Sequence, residues 1–271
     1  MTRGIVKCAM SHAMGRALAC TFSLGFALAT AGCFKADAAP YTPRDAALAT
    51  SEFFFYPAVD GPSHAKAIIF FLGNDLGFWG AHQELAKRLA ASNYNVVGFD
   101  VKKYFNRLPD DTLRRGKAFT DSVAIILKRV RVELGADTLP MIVGGHSIGA
   151  EVATYIASRA DVAHFKGVLL ISPGARGHLR ISAADLAMSG EPTEPGSFSI
   201  AENIRSIPPQ VRIAIVRGTD DRYRTADSAL MVAGSGRVEK WWVPWGGHSM
   251  RNILLAGGFV LRAVEWSLRD K

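Results

Sequence analysis

The sequence predicts an α/β protein with a mostly parallel central sheet and helices on both faces. Three observations carry this expectation. Apolar runs of strand length alternate along the chain with segments whose apolar residues recur at helical spacing. Runs such as the one inside AKAIIFFLG are continuously apolar, as strands buried on both faces are. A serine hemmed by glycines, in VGGHSIGAE, follows directly on the apolar run LPMIV, and ligands of parallel sheets lie beyond the carboxyl ends of the strands.

The elements follow in order. After the polar entry YTPRDAALATSE, FFFYPAV and AKAIIFFLG read as strands, the second ending in a glycine turn. FWGAHQELAKRLAAS has helical spacing and stops at the turn-forming SNYN; NVVGFD is the next strand. LPDDTLRRGKAFTDSVAIILKRVRVELGAD opens with Asp and Thr caps and runs as an amphipathic helix to about Leu134, where Gly135 stops it. PMIVGG is a strand, IGAEVATYIASRA a helix and FKGVLLISP a strand. From Gly174 to Pro209 the rhythm is broken by Gly, Pro, Ser and Glu. Flanked by core strands, this stretch reads as a cap-like excursion over the sheet edge or the active site rather than a linker. VRIAIVRG resumes as a strand, a short helix covers about Ala226 to Ala233, VEKWWVPWGG is the last strand, and MRNILLAGGFVLRAVEWSLRD is a closing helix.

Of 271 residues, 49% are hydrophobic, ample for a buried core, and nothing reads as disordered. The net charge is +8, but the first 38 residues hold Arg3, Lys7, Arg16 and Lys35 against Asp37, which leaves +5 for the rest. With no Lys/Arg run and no basic-aromatic stripe, nucleic acid is excluded as a partner; a weak attraction to anionic membrane surfaces is not. Residues 1–38 look like a targeting segment. Basic residues precede the apolar run ALACTFSLGFALATAGCF, and Ala-Asp-Ala supplies small residues for a cut after Ala38. Lipidation at Cys33 and retention as an anchor are the alternatives. All three outcomes place the body, a single domain over 39–271, outside the cytoplasmic membrane, periplasmic or secreted. Cys8, Cys20 and Cys33 all lie in that segment, so the mature domain is expected to use neither disulfides nor cysteine chemistry.

Gly145-His146-Ser147-Ile148-Gly149 fits the G-x-S-x-G pattern, in which a serine occupies a strained strand-to-helix turn that only small neighbours permit. A serine hydroxyl needs a base within hydrogen-bond reach, and the base needs a carboxylate to fix its tautomer. VRIAIVRG is followed by Thr219-Asp220-Asp221, and WWVPWGG by His248, each just past a strand. Ser, Asp and His thus follow in the order of the α/β-hydrolase fold. Asp221, fourth in a G-x-x-D pattern, is favoured as the acid, with Asp220 in reserve. For the developing oxyanion, the donors expected are the backbone N–H of Ile148 and one from the glycine turn FLGNDLGFWG, at Asn74 or next at Asp75. His146 reads as a structural turn residue. His82, His164 and His178 have no partners at metal-ligand spacing and read as surface or packing residues, so no metal or organic cofactor is expected.

With these motifs in place, residues 66–270 resemble the α/β-hydrolases, and within them the VirJ/AcvB-like bacterial virulence proteins. The general features are GGHSIGAE, GTDDR and WGGHS; the more specific one is NVVGFDVKKYF. The chain departs from the family in a longer oxyanion turn, and in Val101 and Asn106 where Ser and Trp are more usual. The resemblance implies an exported serine hydrolase. Some members are linked to hydrolysis of aminoacylated phosphatidylglycerol, others to support of macromolecular secretion.

Lys102, Lys103 and Tyr104 follow a strand near the expected active-site edge, as substrate contacts for a phosphate or carboxylate or as a solvated basic loop. Phe78, Trp79, Trp241, Trp242 and Trp245 suit an apolar acyl pocket or an ordinary core. Two functions follow. One is a serine-dependent esterase acting on a small-molecule or lipid ester, with peripheral membrane association and an oligomeric state that residue types leave open. The other is a non-catalytic periplasmic accessory protein for exported partners. Expressed in a Gram-negative host, the chain is expected as a soluble periplasmic product beginning at Ala39, checked by intact mass. Full-length protein in the membrane fraction identifies an anchor instead, and an acylated Cys33 a lipoprotein.

Overall fold

The computed structural model describes residues 40–159, 162, 164–187, 190–249 and 258–269. The expected targeting segment, and residues 250–257 of the expected closing helix, lie outside the described residues. The strands are β1 (Phe53–Tyr56), β2 (Ile68–Leu72), β3 (Asn95–Phe99), β4 (Met141–His146), β5 (Gly167–Ile171), β6 (Arg176–Gly177), β7 (Phe198–Ser199), β8 (Arg212–Gly218) and β9 (Val238–Val243). The helices are α1 (Gly80–Ala91), α2 (Val101–Phe105), α3 (Thr112–Glu133), α4 (Ile148–Ala157), α5 (Ala183–Leu186), α6 (Ile200–Ser206), α7 (Asp227–Ala233) and α8 (Gly258–Leu268). None of the described helices is long and apolar enough to cross a membrane.

Seven strands form one sheet in the order β1-β3-β2-β4-β5-β8-β9. β1 pairs antiparallel with β3, and every other pair in this sheet is parallel. Alternation along β2 shows why its run reads as continuously apolar. Ile68, Phe70 and Leu72 join a core with Phe119, Val123 and Ile156 of α3 and α4 on one face. Ile69 and Phe71 join Leu85, Leu89 and Val264 of α1 and α8 on the other. Successive strand side chains point to opposite faces, so two covered faces need apolar residues at every position. Each such side chain contributes about 1.5–3 kcal/mol on burial.

Helix boundaries follow local chemistry. The Asp111 carboxylate caps α3 by accepting the Arg114 N–H at 2.8 Å, and Gly135, at φ 57°, ends that helix as expected. Asp100 caps α2 in the same way, accepting from the Lys103 N–H at 3.1 Å. The stretch after β5 is no structureless loop. It carries the β6–β7 pair, α5 and α6, and it bends back over the carboxyl end of β4. The six parallel strands β2, β3, β4, β5, β8 and β9 therefore deliver their following loops to one edge of the sheet.

Candidate active site

Ser147 stands between β4 and α4 at φ 55° and ψ −124°, a backbone conformation that costs a non-glycine residue on the order of 1–3 kcal/mol. The glycines around it make this turn possible. A Cβ on Gly145 would lie 2.3 Å from the Gly149 carbonyl carbon, and one on Gly149 would lie 2.3 Å from the Gly73 oxygen. The turn is held from beside it by the Ser147 N–H, which donates to the Ile171 carbonyl at 2.9 Å. As the first residue of α4, Ile148 has an N–H without an intrahelical acceptor.

The loops after β8 and β9 are tied together, the Asp220 N–H donating to the Gly246 carbonyl at 2.9 Å. Across them the structure brings three residues into line. Ser147 Oγ lies 2.9 Å from His248 Nε2, and His248 Nδ1 lies 3.2 Å from Asp221 Oδ1. Of the two adjacent aspartates, Asp221 is the one that meets the imidazole; Asp220 is exposed and turns to Thr219. Behind Asp221 stands Arg217, entirely buried, donating to Asp221 Oδ2 at 2.6 Å. The same guanidinium donates to Asp227 and to the Pro173 carbonyl. Burial alone would raise the Asp221 carboxyl. The His248 hydrogen bond and the Arg217 charge outweigh that and hold it well below the usual carboxylate range. Nothing in the motifs had singled out Arg217. The available signal was an arginine directly after the apolar run IAIV, which calls for a buried anion.

His82 and His146 are fully buried, and they are partners. His82 Nε2 lies 3.0 Å from His146 Nδ1, and His146 Nε2 lies 3.1 Å from the His248 carbonyl oxygen. A carbonyl only accepts, so His146 carries its proton on Nε2 and accepts on Nδ1. His82 must then donate from Nε2, and its Nδ1 accepts the Trp79 N–H at 3.4 Å. Burial and the neighbouring His146 hold His82 well below the ordinary imidazole range, and burial takes His146 down to about 4. Both rings are neutral, in fixed tautomers. His146 is thus a structural residue, as expected, whereas His82 is not simple packing.

The cleft at Ser147 is narrow, about 40 Å³, and lined by Asp75, Ile148, Glu151, Asp185, Glu191, Tyr223 and His248 among others. Four of these are carboxylates. Burial, then the Glu191 charge, pushes the Glu151 carboxyl well above its ordinary value, and burial raises Asp75. Glu191 accepts the Ala175 and Arg176 N–H groups at 2.9 Å each, which seats this acid of the excursion over the cleft. A larger cavity of about 490 Å³ between α3, α4 and the excursion contains none of Ser147, Asp221 and His248.

Several expectations need correction. Tyr104 does not face the cleft: it is 7% exposed and packs edge-on against Phe99 and Phe119, because α2 turns its apolar side into the core. Lys103 does not line the cleft either; its Nζ donates to the Ser51 carbonyl at 3.0 Å. Lys102 is the member of that segment whose charge acts on cleft residue Asp75. The Asn74 side chain holds its own turn, Oδ1 accepting from the Leu76 N–H at 3.1 Å and from Trp79 Nε1 at 3.2 Å; the neighbouring Asp75 faces the cleft. No apolar pocket is built from Phe78, Trp79, Trp241, Trp242 and Trp245. The first three pack with the α1/α8 core, and the last two are exposed. His164 is exposed as expected, but His178 is buried between Asp185 at 2.8 Å and Glu194 at 2.7 Å. Among the described residues, no group of three or more His, Cys, Asp or Glu side chains could hold a metal ion.

Fold and topology define an α/β-hydrolase-fold protein, and solved structures of that fold are similar along most of the chain. MenH from S. aureus is similar over 81% of this chain and 100% of its own, at 13% identity and a TM-score of 0.60. The esterase domain from a Rhodothermus marinus protein matches 80% of this chain and 92% of its own, at 16% identity and TM-score 0.53. Thermogutta terrifontis esterase 2, phosphoramylated by tabun, matches 79% of this chain and 87% of its own, at 17% identity and TM-score 0.54. No curated protein matches the sequence. Residues 66–254 match the family described as bacterial virulence protein (VirJ), and the chain belongs to that family.

The buried histidine pair sets a pH expectation. An imidazole with a depressed value stays neutral through the range in which an exposed one gains its proton. By NMR, the His146 ring, identified by comparison with His146→Gln, is expected to show no titration above about pH 5. A transition near the ordinary value of about 6.5 would contradict the buried relay.

Proposed function

We propose that this protein is an exported serine-dependent carboxylic ester hydrolase whose acyl substrate carries a positively charged amino group, the chemistry of an aminoacyl-phospholipid. The observation that carries the reading is the Ser147–His248–Asp221 alignment on a strained turn at the carboxyl edge of the sheet. In this reading, Ser147 Oγ attacks the ester carbonyl as His248 Nε2 takes its proton. Asp221, kept ionised by Arg217, stabilises the imidazolium that forms. His248 then returns the proton to the departing alkoxide, leaving an acyl-enzyme. Water, deprotonated by the same imidazole, attacks that ester and frees the acid and Ser147. The backbone N–H groups of Ile148 and Asn74 are assigned to the oxyanion, each worth about 3 kcal/mol by analogy with removal of one such donor elsewhere.

The acid lining supports the substrate class. Asp75, Glu151, Asp185 and Glu191 surround Ser147, an environment hostile to an anionic or plain fatty acyl group and favourable to an ammonium. Glu151 and Asp75 hold their protons more tightly than usual, and an arriving cation would release them. A free volume of about 40 Å³ admits roughly a water or two, so an acyl group enters as the excursion bearing Asp185 and Glu191 gives way.

A fluorophosphonate probe is expected to label purified protein at Ser147 and not the Ser147→Ala variant. No labelling, beside a control hydrolase that labels, would overturn the catalytic reading in favour of the accessory one. Among soluble esters, an aminoacyl ester is expected to be hydrolysed at least tenfold faster in kcat/KM than its uncharged acyl counterpart. Glu151→Gln should erase that preference through KM; equal rates for both esters would remove the cationic-substrate assignment. Asp221→Asn is expected to lower turnover by about 10⁴, the size of the comparable change in a serine protease, at unchanged melting temperature. Asp220→Asn should stay within about 0.5 kcal/mol. The reverse pattern would hand the role to Asp220.

A further inference from the structure

We infer that the loop edge surrounding the Ser147 cleft is a docking surface for an anionic lipid bilayer, with Trp245 as its principal anchor. The inference deepens the lipid-ester reading by naming how the protein meets its substrate. Among the described residues, the large apolar side chains left exposed are Leu76, Ile125, Val132, Leu186, Val232, Trp242 and Trp245. Ile125, Val132 and Val232 are single residues on the outer faces of α3 and α7, and scattered surface residues of that kind need no explanation. The other four share one edge. Leu76 follows β2 and adjoins the cleft residue Asp75. Leu186 ends α5 and adjoins the cleft residue Asp185. Trp242 and Trp245 lie at the end of β9 and in the turn that leads to His248.

Trp245 is 89% exposed although its turn is well fixed. Its N–H donates to Thr219 Oγ1 at 2.9 Å, and the next residue's N–H donates to the Val243 carbonyl at 3.2 Å. At φ 60° the backbone adopts a conformation that tryptophan rarely takes. A strained, hydrogen-bonded turn thus presents a full indole to water, beside the histidine of the site. An indole is suited to the boundary between lipid headgroups and acyl chains, where its ring is sheltered and its N–H remains hydrated.

Charge on the same edge selects the kind of surface. Lys103 and Arg107 follow β3, and Arg222 and Arg224 follow β8, all four exposed. Lys103 and Arg107 are tethered to the Ser51 carbonyl and to Glu52, yet their side chains remain 49% and 59% exposed. In those two loops the exposed carboxylates are Asp110, Asp111 and Asp220, of which Asp110 pairs with Arg115 and Asp111 caps α3, while Asp100 and Asp221 are buried. The acids of the cleft, Asp75, Glu151, Asp185 and Glu191, are half-buried. Basic and aromatic residues around an acidic cleft fit a negatively charged bilayer bearing cationic acyl esters, rather than a neutral one.

The test uses the catalytically silent Ser147→Ala protein, so that binding is read apart from hydrolysis. Vesicles of phosphatidylglycerol and phosphatidylcholine are expected to bind it, with a blue shift in tryptophan emission, and phosphatidylcholine vesicles at least tenfold less. Adding Trp245→Ala should weaken binding at least tenfold and remove most of the blue shift. Adding Ile125→Ser, on the outer face of α3, should leave binding unchanged. In the otherwise native protein, Trp245→Ala should retain turnover of a soluble ester and lose it on vesicles. No binding to anionic vesicles, or equal losses from the two substitutions, would overturn the docking surface whatever the esterase result. So would a dimer that Trp245→Ala dissociates, since a second copy would then cover the edge. Binding as expected without any ester hydrolysis would instead overturn the catalytic reading and leave the surface standing.

Discussion

The site depends on a guanidinium with no access to solvent. Near the end of β8, Arg217 joins the Pro173 carbonyl at the start of the excursion to two carboxylates a little further along its own chain, Asp221 after β8 and Asp227 at the head of α7. A buried charge is tolerable only when its hydrogen-bonding groups are met, and losing one partner of a buried pair costs about 3–5 kcal/mol. Lys240 completes the charge balance by reaching the second Asp227 oxygen at 3.2 Å. The network therefore stabilises the fold by the same contacts that aim Asp221 at His248. Stability and site geometry are here one constraint.

A second, neutral network supports the imidazole from the other side. The chain from the Trp79 N–H through His82 and His146 ends on the carbonyl of His248 itself. Trp79 also bonds Asn74 through its indole, so the turn carrying the expected oxyanion donor and the loop carrying His248 are joined through side chains in fixed tautomers. Neutral rings suit this position. A charged imidazole there would be desolvated and would oppose the imidazolium that the proposed reaction forms on His248. The charged support of the imidazole is instead the buried Arg217–Asp221 pair on its other side.

The excursion after β5 connects these arrangements to the surface. The part of it that lines the cleft is held by polar contacts, Glu191 on the Ala175 and Arg176 N–H groups and His178 between Asp185 and Glu194, whereas Ile200, Ile204 and Ile207 further along are buried in the core. A segment held mainly by polar contacts opens at lower cost than one held by a packed apolar core. The cleft-lining part is accordingly the one able to yield while α6 and the sheet beneath stay fixed.

The sequence by itself determined the architecture, because two-sided burial of a parallel sheet leaves a continuous apolar record in β2, β4, β5 and β8. It also located the serine turn, since only glycines at 145 and 149 allow backbone to approach within the space available. The order Ser147, Asp221, His248 was legible for the same reason: each follows a strand, and parallel strands send their loops to one edge. What the sequence left open depended on directions that spacing does not encode. Asp220 and Asp221 differ by the rotation of one turn, and Tyr104 went to the core because α2 turned that way. His82 met His146, and Arg217 met the Pro173 carbonyl, only when strands and loops far apart in the chain were packed together. Asp221 and Asp227 beside Arg217, and Asp185 beside His178, are near in sequence but paired by turns whose direction spacing does not give. The acidity of the cleft belongs to the same class: Asp75 follows β2, Glu151 lies in α4, Asp185 and Glu191 belong to the excursion, and only tertiary structure makes these three segments neighbours of one serine.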